Sequence, residues 1–294
     1  TWQQWIVAME EVSGQDFSTM ARVWLKQTGF PVVTVSGEYD REHRRFRMNL
    51  RQVVPGNAAP WPLPFRAALV NRDGRDCAET LVRLEGREAE ITFEDVDEPA
   101  FLSLNREYSF YDKVKNDVDP TALRLQAEVD SDAVNRFIAL YRLTEQEIIG
   151  LVDSPARTPS GEYLDLYFRL LSNRDRFLAL GGLPLTLYDT VDSPVYAHRY
   201  RALYDARRGI ETALAIRYGK EIRKIYESLQ PEVPLTAPME VQVPAIKERQ
   251  IRNICLSLLA TLDTPEIHDL VRSQFDTGKV ATDRLHAFSL YLQS

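Results

Sequence analysis

The histidines are the side chains best suited to proton transfer or zinc binding near neutral pH: His43, His198, His268 and His286. No two of them are four residues apart and the motif His-Glu-x-x-His is absent, so no single helix can supply a pair of zinc ligands. His198 lies between Tyr196 and Tyr200 and is predicted to be a partly buried polar residue on a helix. His43 has arginines on both sides and is predicted to be a solvated turn residue.

Acidic residues form three short groups that could hold a pair of carboxylates: Glu10–Glu11, Glu94–Glu98, and Glu128 with Asp130 and Asp132. A catalytic pair needs a shared concave site and two different pKa values, which a sequence does not reveal. The run Glu94–Glu98 has the pattern of a solvated loop. These groups therefore identify no catalytic centre.

Two groups of arginines could bind an anion. In Arg41–Arg51 the arginines alternate with Phe46, Met48 and Leu50, which places them on the solvent face of a strand. The second group is predicted to lie on a surface helix, with an anion contact or a domain-docking face as the alternative: Arg199, Arg201, Arg207 and Arg208. The formal net charge of −7 argues against nucleic acid as a partner.

Other signatures of enzymes and of targeting are absent from the sequence. It contains neither the glycine-rich motifs of nucleotide-binding enzymes nor the Gly-x-Ser-x-Gly motif of serine hydrolases. Two cysteines, Cys77 and Cys255, provide no disulfide framework, which indicates a reducing compartment. No apolar run of roughly 18 residues or signal-peptide leader is found, so we expect a cytoplasmic protein without membrane contact.

Residues 1–29 carry two helical patterns. In the first, apolar residues recur on one face: Trp2, Trp5, Ile6 and Met9. The second pattern runs from about Asp16, a predicted N-cap, to Thr28. Two short amphipathic helices are not stable as an isolated pair, so we expect them to pack on something else.

From Pro31 to about Tyr111 the hydrophobic period changes to about two residues, which predicts antiparallel strands. The later predicted strands are Phe65–Val70, Glu79–Leu84, Glu88–Phe93 and Phe101–Phe110. Turn residues separate the strands, among them Asn71–Gly74, Glu85–Gly86 and an edge loop that contains Pro55–Asn57. Short strands at this density predict a small β-sandwich of immunoglobulin-like type.

Beyond about Lys113 the pattern is helical. The longest apolar stripe runs from Leu203 to Leu229 and is predicted to be interrupted near Gly209 or Gly219. Short connectors that contain proline or glycine separate the helices, at 154–155, 181–184 and 231–238. This arrangement indicates an irregular α-solenoid of armadillo or HEAT type. Its last helix has no polar closing unit, so we expect both chain ends to be cut from a longer protein.

The end of the second helix carries a recognisable pattern, F-x(n)-W-x-x-Q-x-G-x-P, formed by Phe17, Trp24, Gln27, Gly29 and Pro31. It is preceded by a segment similar to FVxAME, at residues 5–11. Downstream segments that belong with it are SGEYDREHRRFRMNLRQ, WPLPFRAALVNRDG, EPAFLSLNREYSF and KERQIRNICLSLLA. Together these residues resemble the zinc aminopeptidases of the aminopeptidase N family, at the point where the catalytic domain leads into a β-sandwich.

The resemblance implies a multidomain protein of β and α structure. Residues 1–30 would be two leftover helices of a thermolysin-like catalytic domain, with Trp24 packed on the catalytic side. Residues 31–112 would form the immunoglobulin-like antiparallel β-sandwich, and residues 113–294 the incomplete first part of an all-α armadillo/HEAT-like helical domain. The family's His-Glu-x-x-His and Gly-x-Met-Glu-Asn motifs have no match here. We therefore expect no catalytic, cofactor-binding or metal-binding residue in this chain.

For the intact protein, the resemblance implies a zinc-activated water that hydrolyses the first peptide bond of a peptide substrate. This chain would contribute a spacer and part of the cap over the active site, and its partners would be the peptide and the rest of the longer chain. Two alternatives stay open, a stand-alone peptide- or protein-binding module and an enzyme that uses His198 with nearby acids. A fragment is expected to leave Trp2, Trp5 or Trp24 exposed, or to cover these residues by dimerising.

Overall fold

The computed structural model describes residues 1–293 except 55–57, 112, 174, 176–179, 230–232 and 235. The chain divides into two compact units, residues 1–136 and 137–294. The first unit contains two N-terminal helices, a β-sandwich and the helix that follows it, whereas the second unit is helical.

The chain begins with helices α1 (Trp2–Ser13) and α2 (Ser18–Lys26). Thr1 caps α1 through a capping box with Gln4, and Gly14 ends this helix with a φ of 67°. The prediction that Asp16 is the N-cap of α2 is wrong, because the N-cap is Phe17. Asp16 lies one position earlier, and its carboxylate accepts a hydrogen bond from the Ser18 backbone amide (2.8 Å). The helix also ends earlier than predicted, at Lys26, because the next residue is extended.

Strands follow α2 in the order β1 (Val32–Asp40), β2 (Arg45–Val53), β3 (Leu63–Val70), β4 (Asp76–Leu84), β5 (Glu88–Phe93), β6 (Phe101–Leu104) and β7 (Lys113–Asn116). They form two sheets with the strand orders β5-β2-β1-β7 and β4-β3-β6. The pairing of β1 with β7 is parallel, and the other pairings are antiparallel. The predicted turn at Asn71–Gly74 is confirmed, since it joins β3 to β4.

The core of the sandwich lies between the sheets because alternate residues of the strands point inward. On β2, for example, Phe46, Met48 and Leu50 are buried, while Arg47 and Asn49 between them are exposed. The core also includes Val33, Val35, Trp61, Leu63, Phe65, Leu69, Leu84 and Phe110. Each large apolar side chain contributes about 1.5–3 kcal/mol when it leaves water, so this cluster is what stabilises the sandwich.

Two predictions about the end of the sandwich are wrong. The strand predicted for Phe101–Phe110 ends at Leu104, because Asn105 takes a left-handed conformation (φ 49°) and its side chain closes a loop. The helical pattern predicted from Lys113 begins instead at Pro120. Residues 113–116 form β7, since β1 offers an edge to pair with and the Val114 side chain packs against the core. The loop residues Pro55–Asn57 lie outside the described part of the chain.

The helices that follow are α3 (Pro120–Val129), α4 (Ala133–Asp153), α5 (Gly161–Ser172), α6 (Tyr200–Ser228), α7 (Met239–Ala260), α8 (Pro265–Thr277) and α9 (Ala281–Tyr291). The predicted interruption of the long helix is found at Tyr218 (φ −125°, ψ 15°), next to Gly219, whereas α6 continues through Gly209. The connector predicted at 231–238 lies partly outside the described residues. No helix in the described ranges is long and apolar enough to cross a membrane.

Candidate functional site

Three of the histidines make contacts with different local partners. His43 lies in the exposed turn between β1 and β2, as predicted, and its ring nitrogen is 2.7 Å from the Asp40 carboxylate. His268 pairs in the same way with a neighbouring aspartate (2.7 Å). His286 is half-buried, with Nε2 2.9 Å from the Asn253 carbonyl oxygen, and burial lowers its imidazole pKa. These contacts assemble no shared site.

The prediction for His198 is wrong. This residue is exposed in a turn ahead of α6 and does not lie half-buried on a helix. Its neighbours Tyr196 and Arg199 instead bind Asp153, the tyrosine hydroxyl at 2.6 Å and the guanidinium at 3.1 Å. An exposed imidazole lacks the desolvated surroundings that tune a catalytic base, so the geometry does not support an enzyme built on His198.

A zinc site needs three or four His, Cys, Asp or Glu side chains around one point. Among the residues that the structure describes, no group of three such side chains could hold a metal ion. The two thiols are free, and burial raises the pKa of Cys77 and raises that of Cys255 to about 12. The described residues therefore do not fit zinc, and neither thiol is in its reactive thiolate form near neutral pH.

The acidic run Glu94–Glu98 and the basic run Arg41–Arg51 neutralise each other. Ion pairs join the turn after β1 and the first residue of β2 to the loop after β5: Arg41 to Glu98 (2.6 Å), Arg44 to Asp95 (2.9 Å) and Arg45 to Glu94 (2.8 Å). Two further arginines of β2 face glutamates across the sheet on β5. These side chains are exposed, so each pair adds at most about 1 kcal/mol. The predictions of a solvated loop and a solvent-facing strand are confirmed.

The arginines around the start of α6 are also paired with acids. The ion pairs are Arg199–Asp153, Arg201–Asp205, Arg207–Asp189, Arg207–Glu211 and Arg208–Glu211. Four carboxylates therefore balance four guanidinium groups, and this group of arginines has no excess positive charge. The surface-helix interpretation is confirmed, and the alternative of an anion contact loses its support.

The sequence pointed to Asp130 and Asp132 but not to the polar cluster that they form. Asp130 is fully buried and accepts hydrogen bonds from the Ser103 hydroxyl, the Gln126 amide and the Asp132 backbone amide, each at 3.0 Å. Burial raises the pKa of the Asp130 carboxyl, against the opposing effect of these hydrogen bonds and of Arg106. The partners are far apart in sequence and follow no motif, which is why only the structure reveals them.

Arg106 joins this cluster to β4. Its guanidinium binds both carboxylate oxygens of Asp76, at 2.7 and 3.2 Å, and lies 4.0 Å from Asp130. Asp132 accepts the backbone amide of Asn135 (2.8 Å) in the first turn of α4. Protein groups thus satisfy these charges, and the cluster has the character of a structural tie between β4, the loop after β6 and the start of α4.

Helix α2 is anchored to the sandwich by residues of the pattern that sequence analysis singled out. The Trp24 indole donates to the Pro62 carbonyl oxygen (3.0 Å), and its ring packs against the sandwich core beside the buried Val23. The Gln27 amide exchanges two hydrogen bonds with the Ala59 backbone, at 3.0 and 3.1 Å. The sandwich therefore holds one side of the half-buried Trp24, and the expectation that this residue packs on the catalytic side stays a prediction.

Helix α1 has no buried residue, and its apolar side chains form an exposed surface. The exposed fractions are 41% for Trp2, 62% for Trp5 and 91% for Val12. Contacts with α2 come from the Lys26 ammonium over the Trp2 ring (5.6 Å) and from Glu10, which accepts the amide of the α2 N-cap (2.7 Å). Several exposed apolar side chains on one short helix are typical of an interface with further polypeptide.

Two family models match the chain. DUF3458_C, described as a domain of unknown function with ARM repeats, matches residues 120–294. The chain belongs to this family. DUF3458, described as a domain of unknown function with an Ig-like fold, matches residues 29–117. The DUF3458 and DUF3458_C matches confirm the predicted fold, an immunoglobulin-like sandwich followed by armadillo-type helices.

Relatives of this DUF3458_C chain include two proteins named aminopeptidase N. The one from Escherichia coli K12 is 26% identical over 98% of this chain, and the one from Caulobacter vibrioides is 26% identical over 97%. The chain spans about a third of the length of these relatives, 35% and 34%. The resemblance to the aminopeptidase N family is therefore confirmed.

A solved structure shows the same fold. The crystal structure of Legionella pneumophila aminopeptidase A in complex with aspartic acid superposes with a TM-score of 0.79 at 21% sequence identity. The match covers 99% of this chain and 35% of that one. The sandwich and helices described above are thus the architecture of one part of a larger polypeptide in that protein.

Proposed function

We propose that this chain is the non-catalytic portion of a zinc-dependent aminopeptidase that removes N-terminal residues from peptides. One observation carries the proposal. The chain matches aminopeptidase N of Escherichia coli along 98% of its own length while spanning only 35% of that relative. Catalysis by the longer protein would then use residues outside this chain.

In this proposal no residue of the chain has a catalytic, substrate-binding or metal-binding role. The described residues contain no cluster of zinc ligands, so zinc would be held by the remaining polypeptide. Zinc in such an enzyme supplies an activated water for hydrolysis of a peptide bond. The residues of this chain would act around that reaction, by spacing and covering the site.

The proposed roles follow the proposed domains. Residues 1–30 would be the end of the catalytic domain and residues 31–112 a spacer, a role supported by the anchor that Trp24 and Gln27 make to the sandwich. Residues 113–294 would be part of a helical cap that admits short or unfolded peptides, and the ARM-repeat match to residues 120–294 supports the helical character of this part. The two free cysteines favour the cytoplasm as the location.

The test compares this chain with the longer protein encoded by the same gene. We expect the chain alone to bind no stoichiometric zinc and to hydrolyse no aminoacyl p-nitroanilide. The longer protein should contain a His-Glu-x-x-His motif and hydrolyse such substrates until a chelator removes the metal. Chelator-sensitive hydrolysis by the chain alone, or a gene that encodes these residues only, would overturn the proposal.

A pair of variants separates this proposal from an enzyme based on His198. We expect His198→Ala to leave the rate and products of the longer protein unchanged, because the imidazole is exposed and its neighbours bind Asp153. His43→Ala, another exposed histidine, is the matched control. A loss of activity confined to His198→Ala would favour the enzyme alternative.

A further inference from the structure

Three aromatic side chains contact one another on the surface of the first unit, and we call Phe30, Tyr108 and Tyr111 the aromatic patch. The ring centroids of Phe30 and Tyr111 are 5.9 Å apart with 75° between the ring planes, and those of Tyr108 and Tyr111 are 6.4 Å apart with 80°. Both contacts are edge-to-face, the arrangement that aromatic pairs prefer. The rings nevertheless remain 45%, 45% and 63% exposed.

The backbone beneath the patch is strained. Asn105, Glu107 and Tyr108 have φ values of 49°, 57° and 54°, in the left-handed region. Asparagine tolerates this region, but for glutamate and tyrosine it is an uncommon and costly conformation. Such strain persists only where the surrounding structure enforces it, and it concentrates at functional sites.

Several contacts enforce this conformation. The Glu107 amide donates to the Asp132 carboxylate (2.7 Å), and the Glu107 carboxylate pairs with Arg66 (2.5 Å). The Asn105 side chain bonds both the carbonyl oxygen (3.0 Å) and the amide (3.3 Å) of Phe110, whose ring is buried in the sandwich core. The patch therefore stands on a fixed base, and a partner that covered it would lose little affinity to the ordering of these rings.

We propose that the aromatic patch is a docking surface for the remaining polypeptide of the longer protein, and that it extends the interface of α1 and α2 onto the sandwich. This inference rests on the proposed function. Rigid aromatic side chains are enriched at the centres of protein interfaces because they bury a large apolar area at a small entropic cost. On the surface of an isolated chain the same rings leave that area in water.

Two observations identify the occupant. The patch begins where α2 ends, since Phe30 follows α2 after three residues, and α2 itself presents Leu25 with 55% of its surface exposed. Exposed apolar residues thus recur along the sequence from α1 through α2 to Phe30. In addition, the curated relatives have about two thirds of their length outside the matched part, which leaves ample polypeptide to cover both surfaces.

Hydroxyl-radical footprinting with mass spectrometry tests the proposal on this chain and on the longer protein at equal concentrations. In this chain alone, we expect Tyr111 to react as fast as Tyr200, which is 78% exposed in the second unit. In the longer protein the reaction rates of Phe30, Tyr108 and Tyr111 should fall severalfold, together with those of Trp2 and Trp5.

The possible outcomes separate this inference from the proposed function. Protection of Trp2 and Trp5 with unchanged rates at the patch would overturn the inference and leave the proposed function standing. No protection of either α1 or the patch would also overturn the inference alone, whereas a gene without further polypeptide would overturn both. Protection of the patch in this chain alone that rises with concentration would identify a second copy as the occupant and contradict the proposal.

A variant gives an independent measurement. Tyr111→Ala should lower the thermal unfolding midpoint of the longer protein by clearly more than that of this chain, because this chain loses only the contacts with Phe30 and Tyr108 whereas the longer protein also loses the docked surface. Leu81→Ala is the matched control, since Leu81 is an equally exposed apolar residue (62%) on β4 of the same sandwich. Equal shifts for Tyr111→Ala in both proteins would mean that the ring serves the sandwich itself, against the proposal.

Discussion

Gly74 closes the turn between β3 and β4 at a point where no β carbon fits. Its φ is 78°, and an added Cβ would clash with the carbonyl oxygen of Val129 at the end of α3. We expect Gly74→Ala to lower the free energy of unfolding by about 2 kcal/mol. The alanine side chain would clash with the backbone of Val129, and alanine at position 74 would have to adopt a left-handed conformation. Denaturant unfolding measures the change. Gly86→Ala, with only an ordinary contact at 3.9 Å, should cost less than about 0.5 kcal/mol.

Asp130 makes a second prediction at this scale, on the pH dependence of stability. Burial raises its pKa in the folded state above the ordinary value of about 3.9. Between the ordinary pKa and the higher folded pKa, the Asp130 carboxyl is deprotonated in the unfolded chain but still protonated in the folded chain. The contribution of Asp130 to stability is therefore present below this window and lost as the pH rises through it.

The measurement is the free energy of unfolding as a function of pH for Asp130→Asn and the original chain. Asparagine does not titrate, so this falling contribution should be absent from the variant. Asp119→Asn is the control, because hydrogen bonds from Thr121 lower the Asp119 pKa and give its contribution the opposite pH dependence. If stability falls with pH equally in Asp130→Asn and in the original chain, the raised pKa of Asp130 in the folded state would be contradicted.

At the scale of elements, α1 and α2 adjoin in sequence but differ in what holds them. Helix α1 buries no residue, and a helix of 12 residues is marginal in water by itself. Helix α2 is tied to the sandwich through Val23, Trp24 and Gln27. In hydrogen exchange of this chain alone, we expect the amides of α1 to exchange much faster than those of α2. Equal protection of the two helices would show that α1 has a stabilising contact of its own.

The anchor of α2 gives another prediction for this element. Gln27→Ala removes two hydrogen bonds to the Ala59 backbone, each worth about 1 kcal/mol or less at an exposed site. The amides of α2 should therefore exchange about tenfold faster, while those of β2 and β3 keep their rates. Arg22→Ala, an exposed substitution on the same helix, is the control and should leave exchange unchanged. A uniform acceleration across the sandwich would mean that the anchor supports more than α2.

For the whole molecule, the distribution of side chains predicts that stability is independent of metal. In the parts of the chain that the structure describes, no group of three potential ligands could hold an ion. We therefore expect calorimetry to give the same unfolding midpoint for this chain with EDTA, without it and with added zinc. A midpoint that falls with EDTA and returns with zinc would reveal a metal site and contradict this prediction.

Much of the architecture could be predicted from sequence because it is encoded locally. The alternation of Phe46, Met48 and Leu50 with polar residues predicted that β2 is a half-buried strand, and the residues Asn71–Gly74 predicted the turn between β3 and β4. Helical spacing located the long helices, including the irregularity beside Gly219. The pattern that contains Trp24 and Gln27 indicated the family, although its physical role, an anchor on the sandwich, became visible only in the structure.

By itself, the sequence determined the period of most elements, several of the turns between them and the order of sandwich and helices, because these depend on residues close together in the chain. Tertiary structure decided that residues 113–116 are a strand, since only the edge of β1 makes them one. It also decided which charges are neutralised at the surface and that Asp130, with Arg106 4.0 Å away, is buried. Both outcomes depend on groups that are distant in sequence and meet only when the chain folds, which is why no local pattern encodes them.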